Sequence, residues 1–332
     1  MYVFKCENCN GTGAVQIGPN IRGIKTCPYC GGSGEIPQQT RPDGADFQVD
    51  SGEETEGIIE NDDVNVNKIP ELTFFGLGGA FNTKKGHTSA FLRIRENIIF
   101  LFDCTEDTTR YIIQNPDILD NVNDIYICVT HFHPDHVGGL GNLIFYIRYV
   151  VAHFVSVTLI AGSETVKHRF TQYLESMCLP VKDFTEPGRF LGYWCECVRT
   201  LNDSEIIRVI PIKNNSHCDD AYYFYIIWEF KTPDGKYDYR YAIYTGDTQL
   251  FPPYYKEFDY DKCERIYIDC STEKHIDDGI HYSIEDICKG CDLYHIPYDK
   301  ITPMHFESDE VEEKACELFS YPNIIKNGIP DL

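Results

Sequence analysis

At 332 residues the chain is long enough for one large domain and a small one, and 52 acidic against 29 basic side chains leave it at −23. That charge repels nucleic acid over most of the surface and argues against a long duplex as partner. Fifteen cysteines, in a chain whose N-terminus turns polar at once with no charged-then-apolar leader, predict reduced thiols in the cytoplasm rather than the disulfides of an exported protein.

Residues 1–37 repeat a pattern, Cys6-Glu-Asn-Cys9-Asn-Gly11-Thr-Gly13 and Cys27-Pro-Tyr-Cys30-Gly-Gly32-Ser-Gly34. Two C-x-x-C knuckles can close on one tetrahedral ion, so Cys6, Cys9, Cys27 and Cys30 are predicted to hold a structural zinc that serves as the core of a module too small to bury much. The repeat is similar to the zinc-binding repeats of DnaJ chaperones, with two copies here where those proteins have four. Residues 38–68 mix Pro, Gly, Asp and Glu with scattered apolars and are predicted to be a flexible acidic linker. Residues 69–332 then form the main domain.

That domain opens strand-rich. Glu71 to Gly78 and the pair within Ser89 to Cys104, turning at Glu96-Asn97, read as strands, and Asp124 to Thr130 (DIYICVT) as a buried strand. A helix follows His136. Leu143 to Ala161 is apolar for most of a membrane-spanning length, yet it contains Arg148 and His153 and turns β-branched at VSVTLIAG, which predicts a helix and then a strand and no membrane span. Ser163 to Met177 is helical. Strands at Ile207 to Lys213, Tyr222 to Lys231 and Tyr237 to Tyr244 come next, the last two joined by Pro233-Asp234-Gly235-Lys236, then a strand at Arg265 to Asp269 and a helix from Ser283 to about Cys288. Cys288-Lys-Gly-Cys291 has no second pair nearby and reads as structural.

The chemistry concentrates where Asp124 to Thr130 ends, at His131-Phe132-His133-Pro134-Asp135-His136. Imidazoles and a carboxylate are a ligand set for zinc or manganese, and one such loop can serve two ions. H-x-H-x-D-H after a strand, followed by Val137-Gly138-Gly139-Leu140, resembles the signature of the metallo-β-lactamase fold. The resemblance implies a four-layer αββα sandwich holding two divalent ions, zinc or manganese, on His131, His133, Asp135, His136, His217, Asp247 and His305. Asp247, in the strand end Thr245-Gly246-Asp247-Thr248, would be the carboxylate shared by both ions. For the last ligand His305 is preferred to His295. Asp103, ending IIFLFDC, is expected to orient a ligand histidine, and His87 to be structural.

Metal ligands alone do not choose among ester, amide, thioester and phosphodiester. His281, opening a helix after Asp269-Cys270-Ser271-Thr272, resembles the mark of ribonuclease Z-like phosphodiesterases, which implies that it serves the leaving oxygen while Asp135 is a ligand and a possible proton acceptor. With Gly246-Asp247-Thr248-Gln249 and Gly279-Ile280-His281, the chain resembles most closely the phage anti-Pycsar cyclic-nucleotide phosphodiesterases and their bacterial relatives. That implies a dinuclear-metal phosphodiesterase acting on a small nucleotide, a homodimer, and a phage-encoded enzyme of the bacterial cytoplasm. Ser271 stands where those relatives carry an acid, leaving Glu273, or nothing, to support His281. Residues 141–216 lack the long Gly/Pro-rich insertion with which transfer-RNA-processing members grip RNA, which ranks RNA second as substrate. A glyoxalase- or lactamase-type hydrolase and a non-catalytic adaptor are the remaining readings. Tyr222, Tyr223 and Phe224 are candidates to stack on a base, or plain core.

Overall fold

The computed structural model describes residues 3–5, 14–16, 24–26, 35–37, 71–153, 155–179, 191–194, 197–202, 204–252, 260–276 and 279–325. The four leading stretches belong to a small unit with two antiparallel ladders: β1 (Val3–Lys5) pairs with β4 (Glu35–Pro37), and β2 (Ala14–Gln16) with β3 (Ile24–Thr26). Cys6, Cys9, Cys27 and Cys30, and the linker predicted over 38–68, lie outside the described residues.

A larger unit contains residues 66–185 and 190–332. Its first sheet consists of β5 (Thr73–Gly76), β6 (Ser89–Ile94), β7 (Ile98–Phe102), β8 (Asp124–Cys128), β9 (Ser156–Ile160), β10 (Leu191–Trp194) and β17 (Asn323–Ile324), in the order β10-β9-β8-β7-β6-β5-β17. β7, β8 and β9 run parallel, and IIFLF, DIYIC and SVTLI are nearly continuous apolar runs because both faces of these central strands are covered. The second sheet runs β11 (Cys197–Asn202), β12 (Glu205–Asn214), β13 (Ala221–Lys231), β14 (Tyr237–Tyr244), β15 (Cys263–Asp269) and β16 (Ile301–Met304), in that order. β11 to β14 are antiparallel neighbours, whereas β14, β15 and β16 are parallel.

The two sheets face each other across an aromatic core. Phe102 packs on Phe224 at 6.1 Å and Tyr244 at 5.3 Å, and Phe74 on Tyr267 at 5.6 Å between ring centroids. Strand alternation sends the next residue, Phe75, to the opposite face, where it meets Tyr111 of α1 (Glu106–Gln114) at 5.7 Å. α1 packs on α3 (Leu140–Tyr149), and α6 (Asp309–Leu318) packs beside β16. The αββα order of the sandwich follows. Tyr222, Tyr223 and Phe224 are at most 5 % exposed, so the run belongs to the core.

The apolar stretch 143–161 divides into α3 and β9, as its change of character predicts, and among the described residues no helix is long and apolar enough to cross a membrane. The ten cysteines among the described residues are unbridged, including Cys288 and Cys291. α5 (Ile284–Tyr294) runs six residues beyond its predicted end near Cys288. Within it Gly290 is a packing residue: a Cβ there would lie 2.3 Å from the Phe251 ring.

Candidate metal centre

Every candidate ligand sits at or just beyond a strand end. His131 to His136 follow β8, with Pro134 opening the short helix α2 (Pro134–Val137); His217 lies between β12 and β13, Asp247 after β14 and His305 after β16. Two of these ends turn through left-handed backbone, at Gly246 (φ 57°) and His305 (φ 64°), as does Asp103 (φ 62°) at the end of β7. Non-glycine residues hold that conformation only where their surroundings dictate it, and such positions gather at functional sites. Gly246 also lets the chain pass close to Thr130, since a Cβ would lie 2.5 Å from the Thr130 side chain.

The side chains converge in two groups that share Asp247. On one side His131 Nε2 is 2.8 Å from His133 Nδ1, His217 Nε2 is 3.2 Å from His133 Nδ1, and Asp247 Oδ2 lies 3.8 Å from His131 Nε2 and 3.6 Å from His217 Nε2. On the other, His136 Nε2 and His305 Nε2 are 3.1 Å and 3.2 Å from Asp247 Oδ1, and 3.4 Å and 3.6 Å from Asp135 Oδ2. Donors placed about 2.0–2.2 Å from an ion in a tetrahedron stand about 3.3–3.6 Å apart, so both groups have the spacing of a four-donor site.

The polar bookkeeping points the same way. His136 Nε2, His305 Nε2 and Asp247 Oδ1 are buried and lack a hydrogen-bond partner despite their proximity. With its proton removed each imidazole nitrogen has a lone pair to offer, as the carboxylate oxygen does, and a cation between them would satisfy all three. Burial opposes charge on His136 and His305, but Asp247 and the carboxylates around it override burial, lifting His136 well above the usual histidine range and His305 to about 9. Burial likewise opposes charge on Asp247 and Asp135, and the same imidazoles hold both carboxyls below the usual range. Burial and the adjacent His136 imidazole push His131 well down, and burial with His217 lowers His133. A pocket that stabilises anions by protonating its own imidazoles is one in which a metal ion can replace the protons.

Asp103 takes the place expected of it. Its Oδ2 is 2.9 Å from His136 Nδ1, and the carboxylate also accepts from the Thr130 N–H at 2.7 Å, the Thr130 hydroxyl and the Tyr244 hydroxyl at 3.2 Å. His295 caps the C-terminus of α5 on the surface. His87 is outside both groups, its ring Nε2 3.2 Å from the Ala80 carbonyl.

Support for His281 comes from a residue other than the expected one. His281 Nδ1 is 2.9 Å from Asp269 Oδ2, while Glu273 pairs with Lys314 at the surface. Burial works against charge on His281, but this hydrogen bond raises its pKa above the ordinary value. Sequence reading passed over Asp269 as a partner, although an aspartate ending an apolar strand is the same signal that marked Asp103 and Asp247. Asp269, His281, Asp247 and His305 can also be grouped as donors, but Asp269 is already engaged by the Thr248 N–H at 2.9 Å, by Ser271 Oγ at 2.8 Å and by His281. The loops around the centre are joined by Asn214 Nδ2 donating to the Asp247 carbonyl at 2.8 Å, by His217 Nδ1 at 3.0 Å from the Ile280 carbonyl, and by the Gln249 amide donating to the Gly279 carbonyl.

A sandwich of two facing sheets with paired His/Asp groups at one edge defines a metallo-β-lactamase-fold protein carrying the donor set of a metal-dependent hydrolase. The metallo-β-lactamase-fold protein YhfI from Bacillus subtilis superposes with a TM-score of 0.51 at 15 % identity, over 78 % of this chain and 97 % of that one. A diphosphatase from the PhnP family superposes at 0.53 and 13 % identity, over 78 % and 95 %. Within the class, residues 70–320 match the family described as anti-Pycsar protein Apyc1, and the chain belongs to that family. Ribonuclease Z of Staphylococcus carnosus (strain TM300) is 42 % identical over 77 residues, 22 % of this chain and 24 % of that protein. Ribonuclease Z of a Methanococcus maripaludis strain is 44 % identical over 75 residues, 22 % and 23 %. The match thus spans about a quarter of the length of these curated relatives.

Proposed function

We propose that the protein is a two-metal phosphodiesterase that hydrolyses a small nucleotide, most simply a 3′,5′-cyclic mononucleotide. The observation that carries the reading is the sharing of Asp247 between two four-donor groups, with a carboxylate-held imidazole alongside. His131, His133, His217 and Asp247 Oδ2 would hold one ion, and Asp135, His136, His305 and Asp247 Oδ1 the other. Divalent ions bound there would activate water and neutralise charge on the phosphoryl oxygens. Asp269 fixes the His281 ring through Nδ1, which leaves Nε2 to meet the departing alkoxide oxygen and supply it with a proton. Asp135, besides its place among the ligands, would accept the proton that water gives up.

Substrate size follows from charge and family. A chain at −23 opposes a long polyanion over most of its surface, which favours a ligand small enough to sit on the ions. Membership of the anti-Pycsar family supports a cyclic nucleotide. The ribonuclease Z relatives support the second reading, an RNA endonuclease. A homodimer and one zinc on Cys6, Cys9, Cys27 and Cys30 belong to the same proposal, to be checked by light scattering and by metal analysis.

The test loads metal-stripped full-length protein with manganese and offers 3′,5′-cyclic mononucleotides and precursor transfer RNA in parallel, with His281→Ala as control. Ring opening that falls by about 10²- to 10⁴-fold in the variant at unchanged metal content is the expected result. Cleavage of RNA alone would replace the substrate, and metal binding without hydrolysis of either would move the chain to another ester or to the adaptor reading.

A further inference from the structure

The metal-centre reading, on which this inference rests, leaves one buried polar side chain without a task. Ser271 lies two residues beyond β15 and is 1 % exposed. Its Oγ is 2.8 Å from Asp269 Oδ1, 3.1 Å from His305 Nδ1 and 3.0 Å from the His305 carbonyl oxygen. A hydroxyl has one hydrogen to give and two lone pairs to offer. His305 turns Nε2 toward Asp135 and Asp247, so as a ligand it keeps its ring hydrogen on Nδ1 and donates it to Ser271 Oγ. The hydroxyl then gives its own hydrogen to the Asp269 carboxylate, the strongest acceptor in reach. The other Asp269 oxygen accepts from His281 Nδ1. An unbroken line of hydrogen bonds therefore runs from a candidate metal ligand, through Ser271 and Asp269, to the imidazole assigned to the leaving oxygen.

We propose that Ser271 is a positioning residue that couples the metal position built on Asp135, His136 and His305 to the orientation of His281. The hydroxyl acts in both directions. Toward the metal it holds the second nitrogen of His305, and groups in that role govern ligand orientation and metal affinity. Toward the substrate it occupies Asp269 Oδ1, which reserves Oδ2 for His281 and the Thr248 N–H. The structure thus assigns the position a part that an acid could not fill in the same way, because a second buried carboxylate beside Asp269 would repel it.

Titration of metal-stripped, full-length protein with manganese chloride in a calorimeter, beside kinetics on a 3′,5′-cyclic mononucleotide, tests the coupling. Ser271→Ala is expected to weaken one of two binding steps by about 10- to 100-fold while leaving the other in place. At saturating metal it should lower kcat with little change in KM, and add little to the loss already caused by His281→Ala. Ser271→Thr, which restores a hydroxyl, should recover both properties. Ser271→Cys, similar in size but a weak donor, serves as the second probe if the alanine variant melts early. Two unchanged binding steps in Ser271→Ala, or losses that multiply in full in the double variant, would overturn the proposal. Failure of the unmutated protein to bind manganese would overturn the metal-centre reading itself.

Discussion

Loading the centre with metal should stabilise the main domain. By mass action, an ion present at a hundred times its dissociation constant adds about 2.7 kcal/mol per site, or about 5 kcal/mol for two independent sites. A domain of this size shifts its Tm by about 2–4 °C per kcal/mol, which places the effect at about 10–20 °C. The assay is differential scanning calorimetry of chelator-stripped protein with increasing manganese, chosen because nitrogen and oxygen donors suit it and a four-thiolate site does not. Asp247→Asn sharpens the test. The amide keeps one oxygen, but its NH2 cannot ligate, so at most one of the two groups stays complete, and the metal-dependent rise in Tm should fall to about half or less. The reasoning is refuted if manganese leaves the Tm of the unmutated protein unchanged, or if Asp247→Asn responds to the metal as fully as the parent.

Asp103→Ala would strand the Thr130 N–H and hydroxyl, the Tyr244 hydroxyl and His136 Nδ1 inside the core, and should cost at least about 3 kcal/mol in urea unfolding together with weaker metal binding; wild-type values for both would remove its orienting role. Gly246→Ala sets a Cβ 2.5 Å from the Thr130 side chain at φ 57° and should destabilise the domain by about 1–3 kcal/mol, measured by the same unfolding curve, with metal affinity falling in step. Cys27→Ser should release one equivalent of zinc, read by metal analysis, and leave manganese binding and hydrolysis by residues 69–332 intact. Loss of both would tie the cysteine repeat to the catalytic unit.

Legibility in the sequence tracked how much apolar surface each element buries. β7, β8, β9 and β13 are continuous or nearly continuous apolar runs and read as strands because both of their faces are covered. α1 and α6 escaped notice: EDTTRYIIQ and DEVEEKACEL are polar around most of their circumference, and α6 buries only Glu312 and Ala315. β16, Ile-Thr-Pro-Met, is four residues with a proline inside, tolerated because it is the edge strand of its sheet. At the site, the H-x-H-x-D-H loop was visible because its donors are adjacent in sequence. The Asp269–His281 pair was not, since its 2.9 Å contact depends on how the eleven intervening residues close, a matter of tertiary packing that no local pattern records.

The arrangement of strands explains why donors so far apart in sequence can meet with so little adjustment. β7 and β8 are parallel, as are β14, β15 and β16, so residues 103, 131, 247, 269 and 305 leave the C-terminal ends of their strands at one edge of the sandwich. Between the sheets the contacts are aromatic, and the buried carboxylates Asp103, Asp247 and Asp269 gather at that edge. Asp103 from the first sheet accepts from Tyr244 of the second, so the support beneath His136 is shared by both layers. Each donor group draws on both sheets, His131 and His133 meeting His217 and Asp247 in one, and Asp135 and His136 meeting Asp247 and His305 in the other, so a change in how the sheets pack would act within both groups. Rigid scaffolding of this kind is what a two-ion site needs, because a shared carboxylate serves both ions only while the groups keep their spacing.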